Sequence, residues 1–397
     1  VKQNIGLLIS TLNDGGAERV ISRLSYILKD NYNLSVILFD SRNMKYEHYG
    51  NLIDLKVEAN NGNILSKFVL LFRRVLRLKR IKKENNLCAV ISFLDSPNIV
   101  NILSNNKECD VIVSVRNFLS EERDLSLLNR LTDFAMKLLY KKADRVIPVS
   151  KQIRELLIQK YNIESNKIKT IYNPFDVEMI KRLSIEDLDE KHNEFMDSNK
   201  IFISVGRQMY QKGFWHLVKA FKLVHDQDDE VKLVIVGRDE QNGKLQHLVN
   251  ELGVQDSILL TGYQKNPFKF IKKSNIYILS SLFEGFPNAL VEAMACGCPV
   301  IATDCKSGPK EILFEESDLS VEINEITYAD YGVLVPALES NENWDPFYHD
   351  INEKTLATAM LKLLNDKNKL KHYSKMSLER AQRFNYDRCK DEFISIL

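Results

Sequence analysis

The chain has 397 residues, 44% of them hydrophobic and 27% charged, with a net charge of +1, an ordinary globular composition with material for two cores. No run reaches the ~18 apolar residues of a membrane span. The six cysteines, at 88, 109, 296, 298, 305 and 389, form no Cys-x-x-Cys pair, and no signal peptide is evident. Reduced cytosolic thiols are therefore expected. Cys296, Cys298 and Cys305 have no nearby histidine to complete a zinc shell, so no metal is expected there.

Strand-like apolar runs alternate with amphipathic helical stretches, the pattern of doubly wound α/β domains with parallel sheets. In the first half the strands are read at 4–10, 34–39, 52–57, 88–93, 111–115, 145–149 and 169–172. Asn173-Pro174 breaks the series, and a charged, strand-free stretch covers 181–198. A second series then runs through 201–205, 231–236, 257–261, 276–280, 300–303 and 332–335. This predicts a first domain over 1–173 and a second over 174–385, with the last helix, 386–397, free to pack on either. The acidic segment 314–331 lacks periodicity and is read as an inserted, irregular loop. A ligand is expected in a central cleft at the carboxyl ends of the two sets of strands. Charge divides at the same place. Through Asn173 there are 28 Lys+Arg against 18 Asp+Glu, and from Pro174 onward 27 against 36. The basic half points to an anionic surface or acceptor met by that half alone.

The most informative stretch runs from Glu284 to Asp304. Gly285 and Pro287 start a helix, with Pro287 placed in its first turn, and Gly297 ends it. Glu284 then sits in a loop at a strand's carboxyl end and Glu292 one to two turns into the helix. The helix N-terminus offers backbone N–H groups to an anion. Carboxylates that grip hydroxyls beside amides that grip phosphate suit a nucleotide-sugar. Gly206, Arg207 and Lys212 stand in one loop between a strand and a helix. They read either as a solvated loop or as two cations converging on a diphosphate. Gly15-Gly16 follows the first strand and reads as a tight turn or as a place where backbone approaches a ligand closely. The acidic run 226–230, between a helix and a strand, reads as a solvated turn and not as a metal-binding Asp-x-Asp.

Gly-Gly-Ala-Glu-Arg from Gly15, Gly206-Arg-(x)4-Lys-Gly and Glu284-(x)7-Glu292, in that order, resemble the retaining family 4 glycosyltransferases of the GT-B fold, as does Tyr172-Asn-Pro-Phe-Asp176 at the interdomain crossing. Bacterial enzymes of O-antigen, capsule and lipid-linked oligosaccharide assembly are similar. The resemblance implies two Rossmann-like domains, the first binding acceptor and the second a UDP-sugar, with no cofactor and no divalent metal. It assigns Arg207 and Lys212 to the diphosphate leaving group, Glu284 to donor-sugar hydroxyls and Glu292 to the ribose. The backbone of Phe286, Pro287, Asn288, Ala289 and Leu290 would hold phosphate and sugar. Gly15 and Gly16 would approach the diphosphate, and Gly262-Tyr263 would meet the base. Where many relatives carry a histidine, this chain reads Val113-Ser-Val-Arg116-Asn117-Phe118. Arg116 or Asn117 would then contact sugar or phosphate. Asp95 is a candidate for steering the acceptor hydroxyl or accepting its proton, with a helix N-cap as the competing reading.

The segment 66–83 holds eight basic residues and no acid. Leu65, Phe68, Val69, Phe72, Val75 and Leu76 follow helical spacing. These predict a helix packing that apolar face on the sheet. Its basic side would contact anionic lipid or the pyrophosphate of a lipid-linked acceptor. The expected protein is a cytoplasmic transferase, peripheral to the inner face of the membrane. It would move an N-acetylhexosamine or hexose from a UDP-sugar to a polyprenyl-diphosphate-linked or oligosaccharide acceptor, without nucleic-acid partners. A nucleotide-sugar 2-epimerase and a non-catalytic glycan- or nucleotide-binding partner are the alternatives.

Overall fold

In the computed structural model, which describes residues 2–13, 15–57, 64–117, 127–198, 200–316 and 318–397, the chain divides into two compact units, Val1–Pro174 with Tyr386–Leu397, and Phe175–Asn385. Asp14, Phe118 and Ser317, which fall inside the stretches read above, lie outside the described residues. So do the side chains of Leu65 and of residues 127–132.

The first unit grows from strands that are apolar on both faces. In β1 (Asn4–Ile9) the side chains of Ile5, Leu7 and Ile9 enter one core while Leu8 enters another, as period-two alternation requires. Covering both faces takes helices, and the chain supplies them between successive strands, β2 and β3 excepted. The order is α1 (Gly16–Ile27), β2 (Asn33–Leu38), β3 (Asn51–Asp54), α2 (Ile64–Glu84), β4 (Ala89–Phe93), α3 (Asp95–Leu103), β5 (Asp110–Val115), α4 (Leu127–Leu139), β6 (Arg145–Pro148) and α5 (Lys151–Gln159). All six strands pair in parallel, in the order β3-β2-β1-β4-β5-β6.

The second unit repeats the scheme. It begins with α6 (Val177–Ser184) and α7 (Glu190–Phe195), capped by the Asp176 and Asp189 side chains. Then come β7 (Ile201–Val205), α8 (Phe214–His225), β8 (Lys232–Val236), α9 (Lys244–Glu251), β9 (Ile258–Gly262), α10 (Phe268–Lys273), β10 (Ile276–Leu279), α11 (Asn288–Ala295), β11 (Val300–Thr303), α12 (Pro309–Leu313), β12 (Thr327–Tyr328), β13 (Val333–Val335), α13 (Ile351–Leu364) and α14 (Lys367–Gln382). Its sheet runs β12-β13-β11-β10-β7-β8-β9. Without β12 this is the order of the first unit. The last helix, α15 (Tyr386–Ile394), contributes Cys389 and Phe393 to the core of the first unit.

Four expectations need correction. Residues 169–172 do not form a strand. Lys169 and Ile171 donate to the Val146 and Pro148 carbonyls at 3.1 Å each, but Pro148 has no N–H to return, so no ladder forms. The segment 314–331 is not wholly irregular, because β12 pairs antiparallel with β13 and the Ile323 N–H donates to the Asp304 carboxylate at 3.2 Å. Pro287 occupies the N-cap position of α11, one residue ahead of the first turn.

The fourth correction concerns α2. Its inward face is not the one the spacing picked out. Leu70, Leu71, Val75, Leu78 and Ile81 pack against the core, whereas Phe68, Val69, Phe72 and Leu76 are exposed. Three of its basic residues are also turned inward. Arg74 donates to the Val57 carbonyl and lies 4.2 Å from the Phe39 ring centroid. Arg77 donates to the Leu55 carbonyl, and Lys82 is buried against the Asn101 carbonyl at 3.2 Å.

Candidate active site

In each unit the first and fourth strands of the parallel series are neighbours, β1 with β4 and β7 with β10. Crossovers leave such a pair in opposite directions, which opens a crevice at their carboxyl ends. The candidate residues are drawn from those ends. Gly15 follows β1, Asp95 follows β4 and Arg116 follows the adjoining β5. Arg207 and Lys212 follow β7, and Glu284 follows β10.

In the second unit, Lys212 and Glu284 meet. The Lys212 Nζ lies 2.5 Å from Glu284 Oε1, with side chains 17% and 8% exposed. Two glycines permit this approach. A Cβ on Gly206 would stand 3.0 Å from Lys212 Cε, where the lysine stem now runs. Gly213 has φ +57°, and a Cβ there would meet the Ser280 carbonyl oxygen at 2.4 Å, a position that only glycine fills without strain. Glu284 is further held by the Ser281 hydroxyl at 2.7 Å and the Gln211 amide at 3.4 Å. Its backbone is clamped to residues 306 and 307 by an N–H in each direction, at 2.6 and 2.9 Å. Arg207 takes a different carboxylate, Glu240, at 3.3 Å, and this pair is much more open to water. The loops after β7 and β8 are stitched together beneath it, with Gln208 N–H on the Arg238 carbonyl and Glu240 N–H on the Gln208 carbonyl.

The N-terminus of α11 has no side-chain cap, and helix N-termini as a class present backbone N–H groups to anions. The Leu290 N–H is already spent on the Pro287 carbonyl at 3.1 Å. Asn288 and Ala289 are half-buried. Phe286 is buried among aromatic neighbours, 5.5 Å from the Phe384 ring and 6.4 Å from Phe175, so its side chain serves the core. Glu292 is buried in α11. Burial pushes the Tyr277 phenol well up, and the charges of Glu284 and Glu292 push it further. Tyr263 is exposed at the end of β9, with the Arg238 guanidinium 5.9 Å from its ring centroid.

In the first unit, Gly15 is the N-cap of α1 in ordinary extended conformation, φ −86°, so it makes no tight turn. Its lack of a side chain makes room for the Glu18 carboxylate, which would stand 2.1 Å from a Cβ. Gly16 is the first helical residue. Asp95 is likewise the first residue of α3 and not its N-cap. That position belongs to Leu94, held at φ 74° with no side-chain cap bond, a backbone conformation that costs energy in leucine. The Tyr140 hydroxyl lies 3.5 Å from the Asp95 carboxylate. Behind it, Asn98 donates to Tyr140 at 3.1 Å and to the Ser114 carbonyl at 3.0 Å. Arg116 is buried, bonded to Asn173 and to the Ser114 hydroxyl, while Asn117 is exposed.

Sequence reasoning missed Gln211, Ser281 and Glu240. The first adjoins Lys212 and the second precedes Glu284 by three residues, so proximity was a usable signal. Glu240 was findable only through the strand order that sets β8 beside β7. Among the described residues, His216, Asp350 and Glu353 have metal-ligand spacing. The Lys219 ammonium stands 3.1 Å from Glu353 and already supplies the cation, which makes this a buried ion cluster. Lys200 pairs with Asp228 and Glu230, at 2.6 and 2.8 Å, in the acidic turn.

Residues 14–179 match glycosyltransferase family 4, and residues 184–327 match glycosyl transferases group 1. An uncharacterised glycosyltransferase of Methanocaldococcus jannaschii is 34% identical over 353 residues, covering 85% of each chain. An N-acetylgalactosamine-N,N'-diacetylbacillosaminyl-diphospho-undecaprenol 4-alpha-N-acetylgalactosaminyltransferase of Campylobacter jejuni is 32% identical, covering 81% of this chain and 87% of its own. The Anabaena protein HepE in complex with UDP superposes with a TM-score of 0.73 at 17% identity over 99% of both chains. Two Rossmann-like units of the GT-B type and relatives of this closeness make the chain a member of the family 4 glycosyltransferases.

Proposed function

We propose that this glycosyltransferase works with retention and without a metal ion. It would move an N-acetylhexosamine or hexose from a UDP-sugar to a lipid-linked or polysaccharide acceptor in bacterial surface glycan assembly. The observation that carries the reading is the shielded Lys212–Glu284 pair beside the uncapped N-terminus of α11. A carboxylate positioned for hydroxyls and a cation positioned for phosphate sit on one another, at the strand ends where a nucleotide-sugar belongs. In the proposed reaction the bond between the sugar carbon and the phosphate oxygen breaks, and its electron pair leaves with the diphosphate. The acceptor oxygen bonds the same face of that carbon, and its proton passes to the departing phosphate oxygen. Lys212, Arg207 and the α11 amides stabilise the negative charge that develops, where fixed cations and dipoles lower the barrier most. Asp95 steers the acceptor hydroxyl.

The Campylobacter relative is named for a diphospho-undecaprenol-linked substrate, and HepE was solved with UDP. Both support the proposed donor and acceptor classes. No described helix is long and apolar enough to cross a membrane. The proposed attachment is the outer face of α2, where Phe68, Val69, Phe72 and Leu76 stand exposed among Lys67, Arg73, Lys79 and Lys83. Phe134 and Leu138 of α4 are exposed as well. An apolar strip with basic flanks is the composition of a helix lying in an anionic interface.

The test is a transfer assay with a panel of UDP-sugars and a short polyprenyl-diphosphate-linked acceptor, with the product anomer read by NMR. An α-linked product from an α-linked donor, formed equally in excess EDTA, is expected. A β-linked product would overturn retention. Epimerised UDP-sugar in the absence of acceptor would move the protein to the epimerase class.

A further inference from the structure

Arg116 lies 8% exposed at the end of β5, among neutral partners only. Its Nη2 donates to Asn173 Oδ1, its Nη1 to the Ser114 hydroxyl at 3.3 Å, and its guanidinium carbon sits 5.5 Å from the Phe93 ring centroid. Among the described residues no carboxylate pairs with it. Burial pushes this guanidinium down to about 10, with the Cys389 thiol opposing only in part.

A structural arginine in the same chain looks different. Arg380 is equally buried, and its fork is filled by the Glu311, Ile312 and Phe314 carbonyls at 2.8 to 3.0 Å, with Glu315 at 3.8 Å. Arg116 has five N–H donors and two acceptors. Taking a charge out of water without a counter-charge is expensive. A fold that carries such a charge at a strand end implicates a ligand that brings the missing anion.

The group is also held in place. Ser114, which accepts from Arg116 through its hydroxyl, accepts from Asn98 through its carbonyl at 3.0 Å. Asn98 in turn reaches Tyr140, and Tyr140 reaches Asp95. Ser92 locks Asn98 from the other side at 2.8 Å. One buried polar chain therefore fixes Asp95 and Arg116 with respect to each other, as a subsite built on strands requires.

We infer that Arg116 is an anion subsite of the first unit that binds a phosphate of a diphosphate ester through the open side of its fork. The inference deepens the transferase reading and rests on it, since either the nucleotide donor or a lipid-linked acceptor brings that chemistry. Planar two-point contact with phosphate is what guanidinium offers and an ammonium does not.

The experiment compares wild type, Arg116→Gln and Arg116→Lys by calorimetric titration with UDP, uridine and farnesyl diphosphate, and by thermal melting without ligand. Arg116→Gln is expected to weaken UDP or farnesyl diphosphate by about tenfold or more, the weight of a charge-assisted hydrogen bond. Uridine binding should not change. Loss for UDP alone assigns the subsite to the donor, and loss for farnesyl diphosphate alone assigns it to the acceptor. Because the charge is uncompensated, the unliganded Gln variant should melt at or above the wild-type temperature. Arg116→Lys should recover part of the affinity. Unchanged affinity for both diphosphates with a lowered melting point would overturn the inference and make Arg116 structural. Lys212→Met is titrated in parallel. If it keeps full UDP affinity, the donor-site reading fails whatever Arg116 shows.

Discussion

Replacing Lys212 by Met keeps the volume of the stem and removes the charge that faces Glu284. The two groups are 2.5 Å apart, and the Glu284 side chain is 8% exposed, so the carboxylate cannot be rehydrated in place. Removing one partner of a shielded pair costs about 3–5 kcal/mol. Ser281 and Gln211 still donate to Glu284, which sets the expectation at the low end, about 3 kcal/mol. At roughly 2–4 °C per kcal/mol for a domain of this size, the transition of the second unit should fall by about 6–12 °C in scanning calorimetry. Glu284→Gln should cost less, since Lys212 can carry its head to solvent along a flexible stem. The double variant, with neither charge, should melt close to wild type, because what is expensive is the unpaired ion. Catalysis should separate from stability. Both Lys212→Met and the double variant should lose about 10²–10³ in turnover, the usual weight of one fixed group at a developing charge. Lys212→Met melting within about 2 °C of wild type, or a double variant as unstable as the sum of the singles, would refute a desolvated pair.

Three further outcomes are expected. Phe68→Ser with Phe72→Ser should abolish flotation with anionic vesicles, since each exposed ring would contribute about 1.5–3 kcal/mol on insertion. Lys67, Arg73 and Lys79 changed to Glu should remove the preference for anionic over neutral vesicles, and unchanged binding in either set would reject attachment through α2. Lys82 is 1% exposed, and burial holds its ammonium down at about 8, against 10.5 for the free group. Below pH 8 it is charged in both folded and unfolded chains, and between about 8 and 10.5 the unfolded chain binds the extra proton, so its penalty on stability is relieved as pH rises. Lys82→Met should therefore exceed wild type by up to about 3 kcal/mol at pH 7, with the advantage shrinking through that window. A constant difference across it would contradict the assignment.

The strands were legible because parallel strands covered on both faces read as continuous apolar runs. Ile201–Val205 and Val300–Thr303 stand where those runs begin and end. Two failures share one cause. Residues 169–172 read as a strand and Thr327–Tyr328 do not, yet only the latter pair with a neighbour that has both donors and acceptors to offer. Pairing is a property of the neighbour, which local pattern does not contain. The helix α2 fails differently. Its apolar residues nearly encircle it, so periodicity establishes a helix without saying which apolar strip is inside. Phe68 and Phe72 are outside because Leu71, Val75 and Leu78 are already against the core. At the site, chemistry-bearing residues announced themselves by following strands. The counter-ion of Arg207 did not, since Glu240 becomes its partner only through a strand order no linear reading supplies.

In the proposed reaction the pairing of these charges would set how a diphosphate is received. In the second unit both cations are neutralised by carboxylates, and the N-terminus of α11 contributes only about half a unit of positive charge. Net attraction for an anion must therefore come from separating one of the pairs. The exposures decide which. Glu240 is 32% exposed and holds Arg207 at 3.3 Å, so water can take it over at little cost. Glu284 is 8% exposed and is also bound by Ser281 and Gln211, so it stays. Under the proposed function Arg207 would then be the cation that donor binding sets free, while Lys212 would remain bridged to Glu284 and share its remaining protons with the phosphate. A hydroxyl bound to Glu284 and an oxygen bound to Lys212 would thereby be joined through one ion pair. In this arrangement a sugar that fits Glu284 poorly also loosens the cation that its leaving group needs, so recognition and rate draw on the same contact.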